Sequence, residues 1–219
     1  MPSVDLAGVV QEGAAKLGCP LSDAQASSLL FYLELLVKWN DVYNLTAVRE
    51  PVQMVTHHLL DSLSVLAPLR RHVGDRPARL LDVGSGAGLP GIVLAVMQRQ
   101  LEVSCVDAAA KKVSFMRQAV AELKLRNVVV QHARSQTLET APFDLITARA
   151  FSSLAELVAA SRRHLVPGGS WLAMKGKHPA EEIAMLPADV RVFHVEPLQV
   201  PGLRAERCLV WMHVKSPGE

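Results

Sequence analysis

The chain has 219 residues, half of them hydrophobic and a fifth charged, with a formal net charge of +2. That composition supports a packed core and excludes a chain disordered throughout; the length fits one α/β domain with an extension, or two small domains. Three scattered cysteines (Cys19, Cys105, Cys208) exclude a disulfide framework and suit a reducing, cytoplasmic setting, while no apolar run reaches the ~18 residues of a membrane span.

Asp5 and Glu12, with no basic stretch leading into a long apolar run, do not read as a secretion signal. Disorder is expected only at the ends, residues 1–2 and 216–219. Residues 1–77 read as helix after helix. Ser22 with Gln25 forms a capping box, and Leu29, Leu30, Leu33, Leu36 and Val37 recur at helical spacing up to Trp39. Residues 40–44 read as a turn. Pro51 then opens a helix with Met54, Val55, Leu59, Leu63 and Leu66 on one face, and the Gly74-Asp75-Arg76-Pro77 stretch breaks the pattern.

From Arg79 the texture changes to short apolar runs, at 80–83, 103–106, 128–130, 143–147 and 170–173, with helical stretches at 90–98, 109–124 and 152–165. This alternation predicts a parallel sheet with helices on both faces. Two further runs, 190–195 and 208–214, lack a helix between them and predict an antiparallel end to the sheet. The expected division is a helical extension over 1–77 and a compact Rossmann-like core over 78–219.

Asp82-Val83-Gly84-Ser85-Gly86-Ala87-Gly88 stands where a strand ends and a helix begins. Glycines there let the backbone turn tightly and let a ligand approach without a Cβ in the way, in the crevice beyond the strand ends where open α/β sheets bind ligands. The next strand ends in Asp107, whose carboxylate suits two ribose hydroxyls. Loop and acid alone do not separate a dinucleotide from S-adenosylmethionine. Asp82 before the glycines and the Pro167-Gly168-Gly169 turn before the fifth strand favour S-adenosylmethionine, and hence a methyltransferase. No P-loop is present.

Arg149, after the fourth strand, is placed to hold a methionine carboxylate, contact phosphate or stack on a base. Lys175, after the fifth strand, is placed to reach a phosphate. Cys105, inside an apolar strand, reads as a core residue, and Phe151 reads first as core. Cations gather at Lys111, Lys112, Arg117, Lys124, Arg126 and Arg134, and again at Arg70-Arg71-His72 and Arg162-Arg163-His164, a pattern that fits phosphate contact. His57 and His58 are helix neighbours and face different ways, one packed and one exposed; His57 and Asp61 at i, i+4 suit a simple pair, and with no third ligand no metal is expected.

Several segments together resemble the bacterial small-subunit ribosomal RNA guanine-N7 methyltransferase family, also called glucose-inhibited division protein B. They are Lys38-Trp-Asn-Asp-Val-Tyr-Asn-Leu-Thr46, His57-His-Leu-Leu-Asp-Ser62, Leu81-Asp-Val-Gly-Ser-Gly-Ala-Gly-Leu-Pro-Gly-Ile92, Lys111-Lys-Val-Ser-Phe-Met-Arg117, Arg149-Ala-Phe-Ser-Ser-Leu154, Ala173-Met-Lys-Gly176 and Val200-Pro-Gly-Leu-Arg-Ala-Glu-Arg207. They run in family order from about residue 22 to 214. The resemblance implies a class I methyltransferase core with a seven-stranded sheet and an N-terminal helical extension, and methyl transfer from S-adenosylmethionine to N7 of one guanine of 16S RNA near the decoding centre; a monomer is the default expectation. It places Gly84, Leu89, Ser135, Gln136 and Arg149 at cofactor-contact positions, beside the Asp82, Gly86, Gly88 and Asp107 read from the loop. Gln136 stands where the family commonly has an acid. Arg49, His57, Lys111, Lys112, Lys175 and Arg207 are the expected RNA contacts. A small-molecule methyltransferase, a non-catalytic binding module and, more distantly, a dehydrogenase are the competing readings.

Overall fold

The computed structural model describes residues 5–74, 76–216 and 218. Asp75 of the anticipated break lies outside the described residues, as do the termini 1–4, 217 and 219.

The extension begins with α1 (Leu6–Lys16) and α2 (Asp23–Tyr43). Ser22 caps α2 as expected: its hydroxyl accepts from the Gln25 amide at 3.3 Å while the Gln25 side chain accepts from the Ser22 amide at 3.0 Å. The helix does not stop at residue 40. Asn40 is buried, and its side chain accepts from the Thr46 amide (2.8 Å) and donates to the Val48 carbonyl (3.5 Å). A residue that looks like a helix breaker thus organises the following loop, and Asn44, at φ 48°, closes the helix in the left-handed conformation.

Pro51 starts α3 (Pro51–Met54), which runs through a π-helical turn at Val55–Leu60 into α4 (Asp61–Leu63); α5 (Leu66–Val73) follows. The core then alternates as anticipated: β1 (Ala78–Val83), α6 (Gly91–Met97), β2 (Leu101–Asp107), α7 (Ala110–Glu122), β3 (Val128–His132), β4 (Phe143–Arg149), α8 (Leu154–Ser161), β5 (Leu165–Lys175), α9 (Ala180–Ala184), β6 (Val190–Pro197) and β7 (Cys208–Val214). Pro167-Gly168-Gly169 is not a turn before the fifth strand but a bulge inside it, where the β4–β5 register slips between Phe143 and Leu145. Arg162–His164 form a separate 3₁₀ turn, so α8 ends earlier than its apolar pattern suggested.

The seven strands are ordered β3-β2-β1-β4-β5-β7-β6; β1 to β5 are parallel, and β7 runs antiparallel to both β5 and β6. Alternation along the strands separates two cores. Leu80, Val103, Leu145, Leu172 and Leu209 face α6, α7 and the N-terminal helices in one cluster. Leu81, Val106, Ile146, Trp171 and Val210 face α8 in the other. The extension therefore shares a core with the sheet. No helix of the described residues is long and apolar enough to cross a membrane.

Candidate active site

Strand order reverses beside β1, which has β2 on one side and β4 on the other, so a crevice opens at their C-terminal ends. Register then decides which residues share that edge. Val83 lies opposite Val106 and Asp82 opposite Thr147, so Gly84 falls between Asp107 and Arg149. Arg149 pairs with Met174, which brings Lys175 next, and Lys175 pairs with Cys208, which brings Arg207 to the same end. Residues spread over more than half the chain thus form one row.

The loop after β1 is held from within. The Ser85 amide donates to the Val106 carbonyl (3.1 Å), and the Ser85 hydroxyl accepts from the Val106 amide (3.1 Å) and donates to the Asp82 carbonyl (2.7 Å). Gly84, Gly86 and Gly88 all have positive φ. Gly84 is exposed and Gly86 half-buried. A Cβ on Gly86 would meet nothing nearer than the Gly84 carbonyl at 4.0 Å, so it would project into the open crevice. Gly88 differs: a Cβ there would lie 2.4 Å from Ile92 Cδ1.

Asp107 accepts from the Gly86 amide (Oδ2, 2.9 Å) and the Ala109 amide (Oδ1, 2.9 Å), with Lys112 Nζ 3.6 Å from Oδ2. A carboxylate has about four acceptor sites, so each oxygen keeps capacity for a ribose hydroxyl. These acceptors and this space fit S-adenosylmethionine.

Asp82 sits differently from its expected place near the methionine portion. Its side chain shares the face of Leu80, beneath α6, and is fully buried; Oδ2 accepts from the Gly91 amide at 2.9 Å and Oδ1 has no hydrogen-bond partner. Burial pushes its carboxyl up to about 7, against the Gly91 hydrogen bond and the Arg149 charge, which pull it down. Asp82 thus anchors the start of α6 rather than lining the crevice. Leu89 and Gly88 are likewise buried, and the Leu89 amide is taken by the Ser85 carbonyl (3.0 Å). Ser135 is buried, its carbonyl 2.7 Å from His164 Nε2, whereas Gln136 is exposed one residue on.

Arg149 turns away from the open crevice towards the extension. Its guanidinium donates to the His57 carbonyl (2.8 Å) and to Asp61 Oδ2 (3.1 Å), while Arg207 Nε donates to Asp61 Oδ1 (2.9 Å). Strand alternation is the cause, since Arg149 shares the face of Leu145, which packs on the extension. The anticipated His57–Asp61 pair does not form. The π turn breaks the 3.6-residue period, and Asp61, with a side chain 3% exposed, is committed to the two arginines. His58 is the packed histidine and His57 the half-buried one. His58 Nε2 lies 3.0 Å from Thr46 Oγ1, and burial holds its pKa down to about 4.

The other expected contacts divide. Lys175 is mostly buried, ion-paired with Glu182 (2.7 Å) and donating to the Phe151 carbonyl (3.4 Å). Lys111 donates to the Tyr43 carbonyl (2.9 Å) and Arg49 to Asn44 Oδ1 (2.6 Å), and both side chains are exposed. Arg70 and Arg71 bond Met97 and Glu196, and Arg162 and Arg163 bond Asp189 and Leu138. Those two basic runs are engaged within the fold, and Lys124 and Arg126 lie beyond the far end of α7. Cys105 is fully buried with its thiol pKa pushed well up, as a core cysteine should be.

Three features were not legible in the sequence. Tyr32, buried on α2, donates to the Ala87 carbonyl at 2.6 Å and so joins extension to loop. Glu182 holds Lys175 and accepts from the Leu154 amide (2.8 Å). Ala150 has φ 57°, a conformation no residue-type signal announces, and it lets Arg149 and the half-buried Phe151 diverge, the Phe151 ring lying 3.9 Å from a Cβ built on Gly84.

A seven-stranded sheet of this order, with a glycine loop after β1 and an acid ending β2, defines a class I S-adenosylmethionine-dependent methyltransferase. Solved structures share the fold. A S-adenosylmethionine-dependent methyltransferase from Aquifex aeolicus aligns at TM-score 0.55 and 19% identity over 75% of this chain and 99% of its own. The glycopeptide N-methyltransferase MtfA, complexed with S-adenosylmethionine, aligns at 0.56 and 14% over 73% and 96%. The family model GidB, rRNA small subunit methyltransferase G, matches residues 25–210, and the chain belongs to that family. Relatives named ribosomal RNA small subunit methyltransferase G include those of Leptothrix cholodnii (60% identical over 93% of this chain and 94% of theirs) and Acidovorax sp. strain JS42 (58% over 93% and 93%).

Proposed function

We propose that this protein transfers the methyl group of S-adenosylmethionine to N7 of one guanine of 16S ribosomal RNA near the decoding centre, acting in the cytoplasm as a monomer on the small ribosomal subunit. The observation that carries this reading is the row Asp107, Gly84, Arg149, Lys175, Arg207 along one sheet edge, in a chain whose family is a ribosomal RNA methyltransferase. When bound, the cofactor supplies an electrophilic sulfonium methyl. The protein's residues then have positioning work. Asp107 accepts the ribose hydroxyls, Gly84 and Gly86 give close backbone approach, and Ser135 and Gln136 border the adenine end.

Guanine N7 has its own lone pair and no proton in the neutral base, so no general base is needed; rate comes from in-line placement. The buried groups agree with that chemistry. Cys105 is no accessible thiolate, and neither Asp82 nor His58 is exposed to a substrate. Arg149, fixed by Asp61 and His57, is a preformed cation at the end of β4, and Lys175, fixed by Glu182, is a second at the end of β5; neither moves protons, and each reaches cofactor or RNA phosphate only by leaving its internal partner. The helices of 1–77 form the extension that frames this edge of the core at 78–219.

Small subunits from cells lacking this enzyme, incubated with protein and labelled S-adenosylmethionine, should carry label at N7 of a single 16S guanine when digested and mapped by mass spectrometry. Cofactor binding without any label would refute the reading. Asp107→Ala should weaken cofactor affinity by roughly tenfold to a hundredfold in calorimetry, the scale of lost hydrogen bonds to a charged group; unchanged affinity would remove Asp107 from the site.

A further inference from the structure

The segment from Tyr43 to His57 is tied to the core at both ends. At one end the Tyr43 carbonyl is held by Lys111 Nζ (2.9 Å), four residues beyond Asp107; at the other the His57 carbonyl is held by Arg149 (2.8 Å). Tyr43 stands at the first of these anchors and is 45% exposed. Its ring packs on Trp39, with centroids 4.9 Å apart and planes at 34°. The Trp39 indole donates to Gln118 Oε1 (3.0 Å) and lies 5.8 Å edge-on from Phe115, which in turn meets Tyr32 at 5.9 Å. Phe115 and Tyr32 are fully buried. An aromatic pile therefore rises from the core to the surface, and the outermost ring is braced from behind.

An exposed, braced ring offers a flat apolar face at no further ordering cost. Two exposed cations lie beside its backbone, Lys111 on the Tyr43 carbonyl and Arg49 on the Asn44 side chain. A protein partner would bring an apolar patch from which lysine is depleted. A ring face with cations beside it suits instead a nucleobase with its phosphates. We propose that Tyr43 is a stacking platform for a nucleotide of the single-stranded RNA flanking the target guanine, with Lys111 and Arg49 taking the adjoining phosphates. The proposal rests on the RNA-methylating reading above.

The test is methylation of unmodified small subunits by the full chain, with cofactor affinity measured separately. Tyr43→Ala should raise KM for subunits by about fivefold to a hundredfold, the scale of one lost base–aromatic stack, with cofactor affinity unchanged and the protein folded. Tyr43→Phe and Tyr43→Trp, which keep a ring, should restore it. Lys111→Ala should lower the slope of log KM against log salt by about one, which Tyr43→Ala should not do. Phe193→Ala, an exposed ring on β6 at the opposite edge of the sheet, is the control. An unchanged KM in Tyr43→Ala beside an active wild type, or an equal rise in Phe193→Ala, would overturn the platform alone. A wild type that binds cofactor and labels no RNA would remove the RNA reading beneath it.

Discussion

On the glycine-loop side of the crevice the carboxylate ties are close in sequence: Asp82 reaches the Gly91 amide across nine residues and Asp107 reaches Gly86 across 21, while Tyr32 adds a long tie to the Ala87 carbonyl. On the other side Asp61 meets Arg149 across 88 residues and Arg207 across 146. One half of the site is carried by a single β-α-β unit. The other exists only once the extension, the end of β4 and the loop before β7 have docked together. The glycine-loop half is thus a local motif that many methyltransferases can share, and the other half is a tertiary construction in which one carboxylate of the extension holds two arginines of the core.

The largest expected effect breaks that second half. Asp61→Ala leaves two partly buried guanidinium groups without their shared acceptor, and losing one partner of a buried ion pair costs about 3–5 kcal/mol. The melting temperature should fall markedly and turnover with it, while Asp107→Ala, on the local side, should lose cofactor affinity with a far smaller loss of stability. Equal melting temperatures for Asp61→Ala and wild type would show the triad to be incidental.

Next comes a contrast within the glycine loop. Gly88→Ala puts a Cβ 2.4 Å from Ile92 at φ 82°, so overpacking and left-handed strain add to about 2–5 kcal/mol. Gly86→Ala meets open space and incurs only the strain, about 1–2 kcal/mol, but it narrows the cofactor's approach. Denaturant unfolding should therefore rank Gly88→Ala as the less stable protein, and calorimetry should rank Gly86→Ala as the folded protein with the greater loss of cofactor affinity. The reverse order in either measurement would contradict the loop geometry.

The same contrast explains what the sequence made legible. The strands at 78–83, 101–107 and 143–149 announce themselves by apolar runs, and the glycines and Asp107 by short spacing between a strand end and a helix start. The hairpin of β6 and β7 followed from two apolar runs with no helix between them. Asp61 carried no such signal. Its nearest candidate partner in sequence was His57, and only the π turn and strand alternation direct it to Arg149 and Arg207. Asn40 misled in the opposite direction, because a polar cluster at 40–44 has the composition of a turn while its buried side chain serves as a loop anchor. For the basic runs at 70–72 and 162–164, composition does not show which acceptor of its own chain an exposed arginine has found.

The smallest effect is read in pH and again sets one side of the crevice against the other. Asp82, under the loop, has its pKa raised from 3.8 to about 7, so the fold favours its protonated form. The stability it contributes is complete below about pH 4 and is lost as pH rises through about 7. His58, in the extension, has its pKa lowered from 6.5 to about 4, so the fold favours its neutral form. Its contribution is complete above about pH 6.5 and is lost as pH falls through about 4. Between those limits the two slopes oppose each other, each at most about 1.4 kcal/mol per pH unit, and wild-type stability should vary little from these groups. His58→Gln leaves the Asp82 slope uncovered, so its melting temperature should fall as pH rises from about 4.5 to about 6.5; Asp82→Asn leaves the His58 slope, so its melting temperature should rise over the same interval. Parallel profiles for both variants and wild type would mean that neither group changes its proton affinity on folding. Opposite slopes would show that two groups on either side of one cofactor site offset each other, and that the flat wild-type profile is their sum.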